Sequence, residues 1–148
     1  MKIFIGADHR GFLLKKKITE ALTKRGFDVV DMGTYHNEFC DYPLIGYKVA
    51  REVVKSKNHR GILICMTGIG QTITANKVKG AYAALCYNEQ AARLSRQHNN
   101  ANILVLSAKF TKKNALHSII KAWLETTFER GRHARRVHQI KKIEKDCL

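Results

Sequence analysis

Residues Gly61 to Ile73 have the sequence GILICMTGIGQTI, an apolar run followed at once by a cysteine, a threonine and two glycines. A short, continuously apolar run is typical of a strand buried inside a sheet. We therefore expect Cys65 at the carboxyl end of a strand, beside the amides that open the next helix. Those amides suit an anion and favour the thiolate form of a nearby thiol. A structural cysteine in an ordinary strand-to-helix turn fits the same residues, so this stretch alone leaves both interpretations open.

Outward from this stretch, predicted strands and helices alternate along the whole chain. The predicted strands are 2–7, 28–32, 61–64, 81–86 and 102–106, and the predicted helices are 11–25, 42–55, 70–78, 89–97, 114–125 and about 133–146. Short apolar strands separated by helices indicate a parallel sheet covered on both faces. The sequence therefore predicts an α/β fold, a Rossmann-like three-layer α/β/α sandwich with a five-stranded parallel sheet.

The composition is that of a globular chain, and one domain over residues 1–148 accounts for its length. No apolar stretch approaches the roughly 20 residues that a membrane-spanning helix needs, and the N-terminus lacks the layout of a signal peptide. We therefore expect a cytoplasmic protein without a membrane partner. The four cysteines, Cys40, Cys65, Cys86 and Cys147, are widely spaced, which argues against a zinc site and against a disulfide framework.

The net charge of +15, from 27 Lys and Arg against 12 Asp and Glu, predicts an affinity for anions. Nucleic acid, an acidic membrane and phosphorylated metabolites are the candidate partners, and a solvated helix face is the simpler interpretation. The chain has no nucleic-acid-binding motif, and its basic residues lack interleaved aromatic side chains for base stacking. A nucleic-acid-binding module is therefore the weaker hypothesis.

Polar residues stand where a parallel sheet binds its ligands, outside the carboxyl ends of the strands. Asp8 and His9 follow the first strand, and His98 closes a helix before the fifth strand. Arg132 and Arg136 are four residues apart on the last helix, a spacing that suits a phosphate. Taken singly, these residues also fit a helix cap, a surface histidine and a solvated helix. Together with Cys65 they indicate proton transfer on a small phosphorylated substrate.

The motifs that carry these residues resemble the ribose-5-phosphate isomerase B family, which is related to the galactose-6-phosphate isomerase subunits. The matching motifs are residues 6–12 (GADHRGF), 31–34 (DMGT), 41–43 (DYP), 61–70, 75–77 (ANK), 94–99 (LSRQHN) and 131–133 (GRH) with Arg136. The resemblance covers nearly the whole chain, with the motifs in the family's order. It implies a reversible isomerisation of ribose 5-phosphate to ribulose 5-phosphate through a cis-enediolate, in the pentose phosphate pathway, without metal ion or organic cofactor.

The resemblance also implies roles for individual residues. Cys65 is expected to be the base that moves a proton between C1 and C2, Thr67 to lie beside these carbons, and His98 to open the sugar ring. Asp8 and Asn99 are expected to bind the sugar hydroxyls. The phosphate is expected to be bound by His9, Arg132, Arg136 and Lys109. The enediolate oxygen is expected to be bound by the amides of Met66, Gly68, Ile69 and Gly70. Family members are dimers with active sites shared between subunits, so we expect a homodimer, or a dimer of dimers, in which the basic C-terminal helix meets the partner.

Two residues depart from the family pattern. Met66 stands where the family usually has glycine, and Lys109 stands where it usually has arginine. These departures leave a six-carbon substrate, allose 6-phosphate or galactose 6-phosphate, as an alternative. The galactose-type subunits divide their catalytic residues between two different chains, whereas Cys65 and His98 occur here in one chain, which favours a homo-oligomer.

Overall fold

The computed structural model describes residues 1–146, in which five parallel strands form one sheet between two layers of helices. The strands are β1 (Lys2–Ala7), β2 (Asp28–Asp31), β3 (His59–Cys65), β4 (Ala83–Leu85) and β5 (Ile103–Ser107). The helices are α1 (Phe12–Lys24), α2 (Tyr42–Val53), α3 (Ile69–Ala75), α4 (Glu89–Asn99), α5 (Leu116–Glu125), which a 3₁₀ turn (Lys113–Ala115) precedes, and α6 (Gly131–Asp146). The predicted three-layer fold is confirmed.

The order of the strands in the sheet is β2-β1-β3-β5-β4, and every neighbouring pair is parallel. All five strands therefore end at one edge, called the carboxyl edge here, and begin at the opposite, amino edge. The connections after β1 and β3 leave in opposite directions, because β2 and β4 lie on opposite sides of the β1–β3 pair. A crevice at such a switch point is where open α/β sheets bind ligands.

The two faces of the sheet bury separate apolar cores, because successive side chains of a strand point to opposite faces. In β3, Ile62 and Ile64 pack towards α1, α4 and α5, in a core that contains the fully buried Trp123. Leu63, between them, packs on the other face against α2 and α3. Burial on both faces explains why the strand sequence is continuously apolar rather than alternating.

Several boundaries differ from the sequence expectation. Strand β3 includes Cys65, because the ladder continues until Cys65 pairs with Ser107. Strand β4 is only three residues long, and the amide of Tyr82 just before it donates to the Asn102 side chain at 2.7 Å. Helix α4 extends to Asn99, because the left-handed residue that ends it is Asn100, with φ 51°. Helix α6 begins at Gly131, two residues before the predicted start.

Two further observations concern the helices and the cysteines. No helix within residues 1–146 combines the length and the apolar content needed to cross a membrane. Cys40, Cys65 and Cys86 carry free thiols, and Cys147 lies outside the described residues.

An ion pair between the buried Lys15 and the half-buried Asp31 fixes the turn after β2. The ammonium group of Lys15, on α1, is buried and donates to Asp31 Oδ2 at 2.7 Å and to the Thr34 carbonyl at 2.6 Å. Asp31 Oδ1 accepts the amide of Gly33 at 2.9 Å. The same turn is hydrogen-bonded to the end of β1, where the Ala7 amide donates to the Gly33 carbonyl at 2.8 Å. The ion pair thus holds the turn against the strand that leads to Asp8.

We expect Asp31→Asn to lower the free energy of unfolding by roughly 3 kcal/mol, because it leaves the buried charge of Lys15 without its counter-ion. The matched control is Asp28→Asn, since Asp28 pairs with Lys2 at 3.5 Å on the surface. An exposed pair of this kind contributes less than about 1 kcal/mol. Urea unfolding of both variants at pH 7 measures the difference, and equal losses would contradict the assigned role of the Lys15–Asp31 pair.

Candidate active site

The Cys65 thiol ends β3 at the carboxyl edge and is 5% exposed. The amide of Gly68 turns back and donates to Cys65 Sγ at 3.1 Å. Gly68 has φ +84°, a left-handed conformation, and a Cβ atom at this position would collide with Leu85. Glycine is therefore required for the turn that brings a backbone donor to the sulfur.

The loop from Met66 to Gly70 is held by its carbonyl groups. The Met66 carbonyl accepts the Ser107 hydroxyl at 2.7 Å and the Lys109 amide at 3.1 Å. The Thr67 carbonyl accepts the Tyr87 hydroxyl at 3.1 Å. Among residues 1–146, the amides of Met66 and Thr67 have no acceptor. The amides of Gly68 and Ile69 instead donate to Cys65 Sγ and Thr67 Oγ1, at 3.1 and 3.3 Å. Two bound carbonyls and two free amides in one loop suit an anionic oxygen.

The two departures from the family pattern lie at the rim of this loop. The Met66 side chain is 41% exposed, and its carbonyl keeps the bonds to Ser107 and Lys109, so the long side chain leaves the contact between Gly68 and Cys65 intact. Lys109 is exposed, with its ammonium group 5.5 Å from the centre of the Phe110 ring. Ile69 is 52% exposed at the start of α3.

Asp8 and His9 follow β1 at the same edge. The Asp8 amide donates to the carbonyl of Ile64 at 3.2 Å, which brings this loop beside Cys65. The Asp8 side chain is 6% exposed, and its Oδ1 accepts the amide of Gly11 at 2.9 Å. Burial raises the pKa of Asp8, and this effect exceeds the lowering by the Gly11 hydrogen bond. His9 Nδ1 accepts the Cys40 amide at 3.4 Å.

The other predicted site residues lie at the amino edge. His98 and Asn99 occupy the last turn of α4, which runs antiparallel to the strands, and Arg132 and Arg136 lie in the first two turns of α6. Strand β5 separates the two edges by about 13 Å, at roughly 3.3 Å per residue. Within one chain, the structure therefore does not bring these four residues together with Cys65.

Two residues absent from the predicted site contact His98. The rings of His98 and His133 are stacked, with centroids 4.1 Å apart and planes 5° from parallel. Glu129 Oε2 lies 3.9 Å from His98 Nε2 and 3.6 Å from His133 Nε2. The Arg132 Nε–H donates to His133 Nε2 at 3.4 Å. Burial, followed by electrostatic interaction with His98 and Arg132, lowers the pKa of His133.

The potential metal ligands of His98, Glu129 and His133 lie within 4.8 Å of one another. The guanidinium of Arg132 beside them disfavours a divalent cation, because like charges repel in a partly buried site. This edge of the molecule therefore suits an anionic group better than a metal ion.

The predicted site thus consists of two clusters at opposite edges of the sheet. We call the group at the carboxyl edge the thiol cluster; it comprises Asp8, His9, Cys65, Met66, Thr67, Gly68, Ile69, Gly70 and Lys109. We call the group at the amino edge the histidine cluster; it comprises His98, Asn99, Arg132 and Arg136, with Glu129 and His133. The first offers a thiol and free amides, and the second offers imidazoles and guanidinium groups. A pocket that uses both must combine two chains.

Sequence reasoning missed further residues of the site. The sequence offered a signal for Ser107, because this residue directly follows the predicted apolar strand 102–106. Tyr42, whose ring packs directly on Gly70, lies in the 41–43 motif. No sequence signal pointed to Tyr87. Its contact with Thr67 depends on β4 lying at the sheet edge beside β5, and the sequence does not reveal that strand order.

Comparison with known proteins gives one consistent result. A family model described as Ribose/Galactose Isomerase matches residues 3–140. Ribose-5-phosphate isomerase B from Escherichia coli strain K12 is 43% identical over 143 residues, which cover 97% of this chain and 96% of that protein. These matches confirm the resemblance drawn from the motifs.

Two solved structures are similar over almost their full length. The structure of ribose-5-phosphate isomerase B from Clostridium thermocellum matches with a TM-score of 0.95 and 50% identity, covering 100% of both chains. The crystal structure of ribose-5-phosphate isomerase B from Mycoplasma genitalium with bound ribulose 5-phosphate matches with a TM-score of 0.95 and 46% identity, covering 98% of this chain and 97% of that chain.

We expect Asp8→Asn to increase the free energy of unfolding at pH 7.5. The raised pKa of Asp8 means that its ionised form is disfavoured in the folded chain, and this cost disappears as the pH falls through the native pKa towards the ordinary value of 3.8. Asparagine avoids the cost and can still accept the Gly11 amide. Urea unfolding should show a gain at pH 7.5 that has shrunk at pH 3.8, the ordinary pKa of the group.

The control is Asp41→Asn, since Asp41 is exposed and its side chain makes no capping hydrogen bond. It should give no gain at either pH. An equal gain from both variants would attribute the effect to net charge rather than to the burial of Asp8.

Proposed function

The chain belongs to the ribose/galactose isomerase family, and we propose that it interconverts ribose 5-phosphate and ribulose 5-phosphate. One observation carries this proposal: the Gly68 amide donates to the Cys65 thiol at the switch point of the sheet. The relative from Mycoplasma genitalium, which has 46% identity, binds ribulose 5-phosphate. We place the reaction in the pentose phosphate pathway of the cytoplasm.

In the proposed reaction, Cys65 acts as the base. The thiolate removes the proton from C2 of the open aldose, and the electron pair of that C–H bond forms the double bond of a cis-enediolate. The negative charge first resides on O1, the former carbonyl oxygen. The proton of the C2 hydroxyl then moves to O1, the C2–O bond becomes the new carbonyl, and the thiol returns its proton to C1, which gives the ketose. The free amides of Met66 and Thr67 support the oxyanion while it is charged, and Thr67 lies beside the reacting carbons.

The remaining roles require the histidine cluster. His98 transfers a proton to the ring oxygen as the bond from C1 to that oxygen breaks, and the C1 hydroxyl releases its proton to solvent as the aldehyde forms. Asn99 and Asp8 bind hydroxyl groups. Arg132 and Arg136, four residues apart on α6, bind the phosphate from one side. His9 and Lys109 bind it from the thiol cluster, with Lys109 acting as a point charge because it lacks the planar fork of arginine.

The proposed assembly is a homodimer, alone or as a dimer of dimers, in which the thiol cluster of one subunit meets the histidine cluster of its partner. The separation of the clusters at opposite edges supports it, because the proposed base Cys65 lies in one cluster and the proposed ring-opening acid His98 lies in the other. The final helix also supports it, since Ile140 and Ile143 on α6 are 40% and 61% exposed. Exposed apolar side chains on a helix are suited to a subunit contact. Thiol and imidazole supply the proton transfers, so the mechanism uses no metal ion or organic cofactor.

We expect Cys65→Ser to fold normally and to lose at least about a thousandfold in kcat with ribose 5-phosphate, because a hydroxyl is a far weaker base than a thiolate at pH 7. The control is Cys86→Ala, since burial raises the pKa of Cys86 to about 11 and this thiol lies in the core. That variant should keep the rate within about twofold.

The assay compares ribose 5-phosphate with allose 6-phosphate, and circular dichroism checks folding. A preference for allose 6-phosphate would transfer the proposal to the six-carbon alternative and assign the choice to the rim residues Met66 and Lys109. Retention of most activity in Cys65→Ser would exclude Cys65 as the base.

Mixing two inactive variants tests the shared site. Cys65→Ser and His98→Asn should each be nearly inactive, but a mixed dimer contains one site with both wild-type clusters. After subunit exchange at equal concentrations, half of the dimers are mixed and each has one intact site. We therefore expect about one quarter of wild-type activity.

The matched control mixes Cys65→Ser with Thr67→Ala, since both residues belong to the thiol cluster and no intact site can form. Failure of the first mixture to regain activity, with subunit exchange demonstrated by native mass spectrometry, would exclude a shared site.

A further inference from the structure

A cavity of about 430 Å³ lies at the amino edge, away from the thiol cluster and without any member of the histidine cluster in its lining. The end of α2, the start of β3, the segment before β4 and the last turns of α6 form its walls. Its five Lys and Arg residues are Lys57, Arg60, Lys79, Lys141 and Lys145, and its one acidic residue is Glu144.

The excess of positive charge in this cavity is local. Five of its 14 lining residues are Lys or Arg, about twice the share in the whole chain, where these types make up 27 of 148 residues. A cavity of about 760 Å³ between α4 and α5 has no such excess, since its lining has two Lys or Arg residues and three Glu. The high net charge of the chain therefore does not by itself explain the basic lining.

The cavity already binds one oxyanion from the chain itself. The Glu144 carboxylate accepts the Gly80 amide at 3.0 Å and the Tyr82 hydroxyl at 3.1 Å. Burial and the charge of Glu144 raise the pKa of Tyr82 to about 12, so this hydroxyl remains a hydrogen-bond donor at neutral pH. These groups leave the basic side chains of the lining available for a second anion.

None of the five basic residues forms an ion pair with a carboxylate of residues 1–146. Arg60 is half-buried, and its guanidinium donates only to the carbonyls of Lys57 and His59, at 3.0 and 2.8 Å. Converging charges without counter-ions repel one another, and a bound anion relieves that repulsion.

We infer that this cavity binds a small anion with two or more phosphate groups. Its volume lies in the range of small-molecule sites, roughly 300–1,000 Å³. The basic residues converge on a concavity from three separate segments, whereas a nucleic-acid surface needs an extended basic strip with exposed aromatic rings. Both aromatic rings of the lining are already engaged: the Tyr82 hydroxyl donates to Glu144, and the His59 ring packs edge-on against Phe4. Binding of this anion does not depend on the proposed isomerase activity.

The test is isothermal titration of the full chain with inorganic tripolyphosphate in 150 mM NaCl, where weak surface attraction is largely screened. Excess ribose 5-phosphate in the titration occupies the phosphate site proposed above, and under this condition we expect saturable binding of one tripolyphosphate per chain. The double variant Lys141→Gln/Lys145→Gln should bind at least about tenfold more weakly, because it removes two of five converging charges. The matched control Lys16→Gln/Lys17→Gln, with the same loss of charge on the distant helix α1, should bind as the wild type does.

Two further titrations establish where the anion binds and which class of anion the cavity accepts. Arg132→Gln should leave the affinity unchanged, whereas a loss equal to that of the α6 double variant would assign the anion to the histidine cluster. Equal losses in both lysine double variants, or no saturable binding, would overturn the inference. A 12-nucleotide RNA that binds more tightly than tripolyphosphate, and that depends on the same lysines, would replace it with a nucleic-acid surface.

Discussion

The direction of the strands is the constraint on which the arrangement of this molecule depends. Because all five strands are parallel, the chain must cross back over the sheet after each strand, and every helix between strands runs in the opposite direction. Residues that end a strand, such as Cys65, therefore lie at one edge, and residues that end such a helix, such as His98, lie at the other. No adjustment of loops within one subunit can bring the two together without breaking the sheet.

At the carboxyl edge, the geometry of the backbone determines the surroundings of the Cys65 thiol. The left-handed turn at Gly68 brings an amide to the sulfur of Cys65, and the hydroxyl of Ser107 fixes the Met66 carbonyl from the other side. The first contact joins the end of β3 to its own loop, and the second joins that loop to the end of β5. The position of the thiol is therefore determined by the β3–β5 ladder as well as by its own loop. The Lys15–Asp31 pair has the same function for the loop after β1, because it holds the adjacent turn in place.

The sequence predicted the class of fold because burial on both sheet faces leaves a direct record in the residues, as the apolar run before Cys65 shows. It also predicted which strand ends carry polar side chains, because each apolar run stops where its buried strand ends. It did not predict the stacking of His133 on His98, since α4 and α6 are far apart in the chain and only their packing brings the two rings to 4.1 Å. Nor did it predict the basic cavity, because Lys57, Lys79 and Lys141 are far apart in the chain and only the fold brings their segments together.

The hydrogen bonds of the Met66 carbonyl affect how residue 66 can be replaced during evolution. Its carbonyl is bound by Ser107 and Lys109, while the residue, which is next to Cys65 in the chain, is 41% exposed, so we expect its side chain to border the approach to the thiol. A replacement at residue 66 changes the width and polarity of that approach and leaves the amide of Gly68 on the sulfur of Cys65. Selection can therefore alter which molecules reach the thiol by single substitutions at the rim, without passing through forms in which the reactive centre is disturbed.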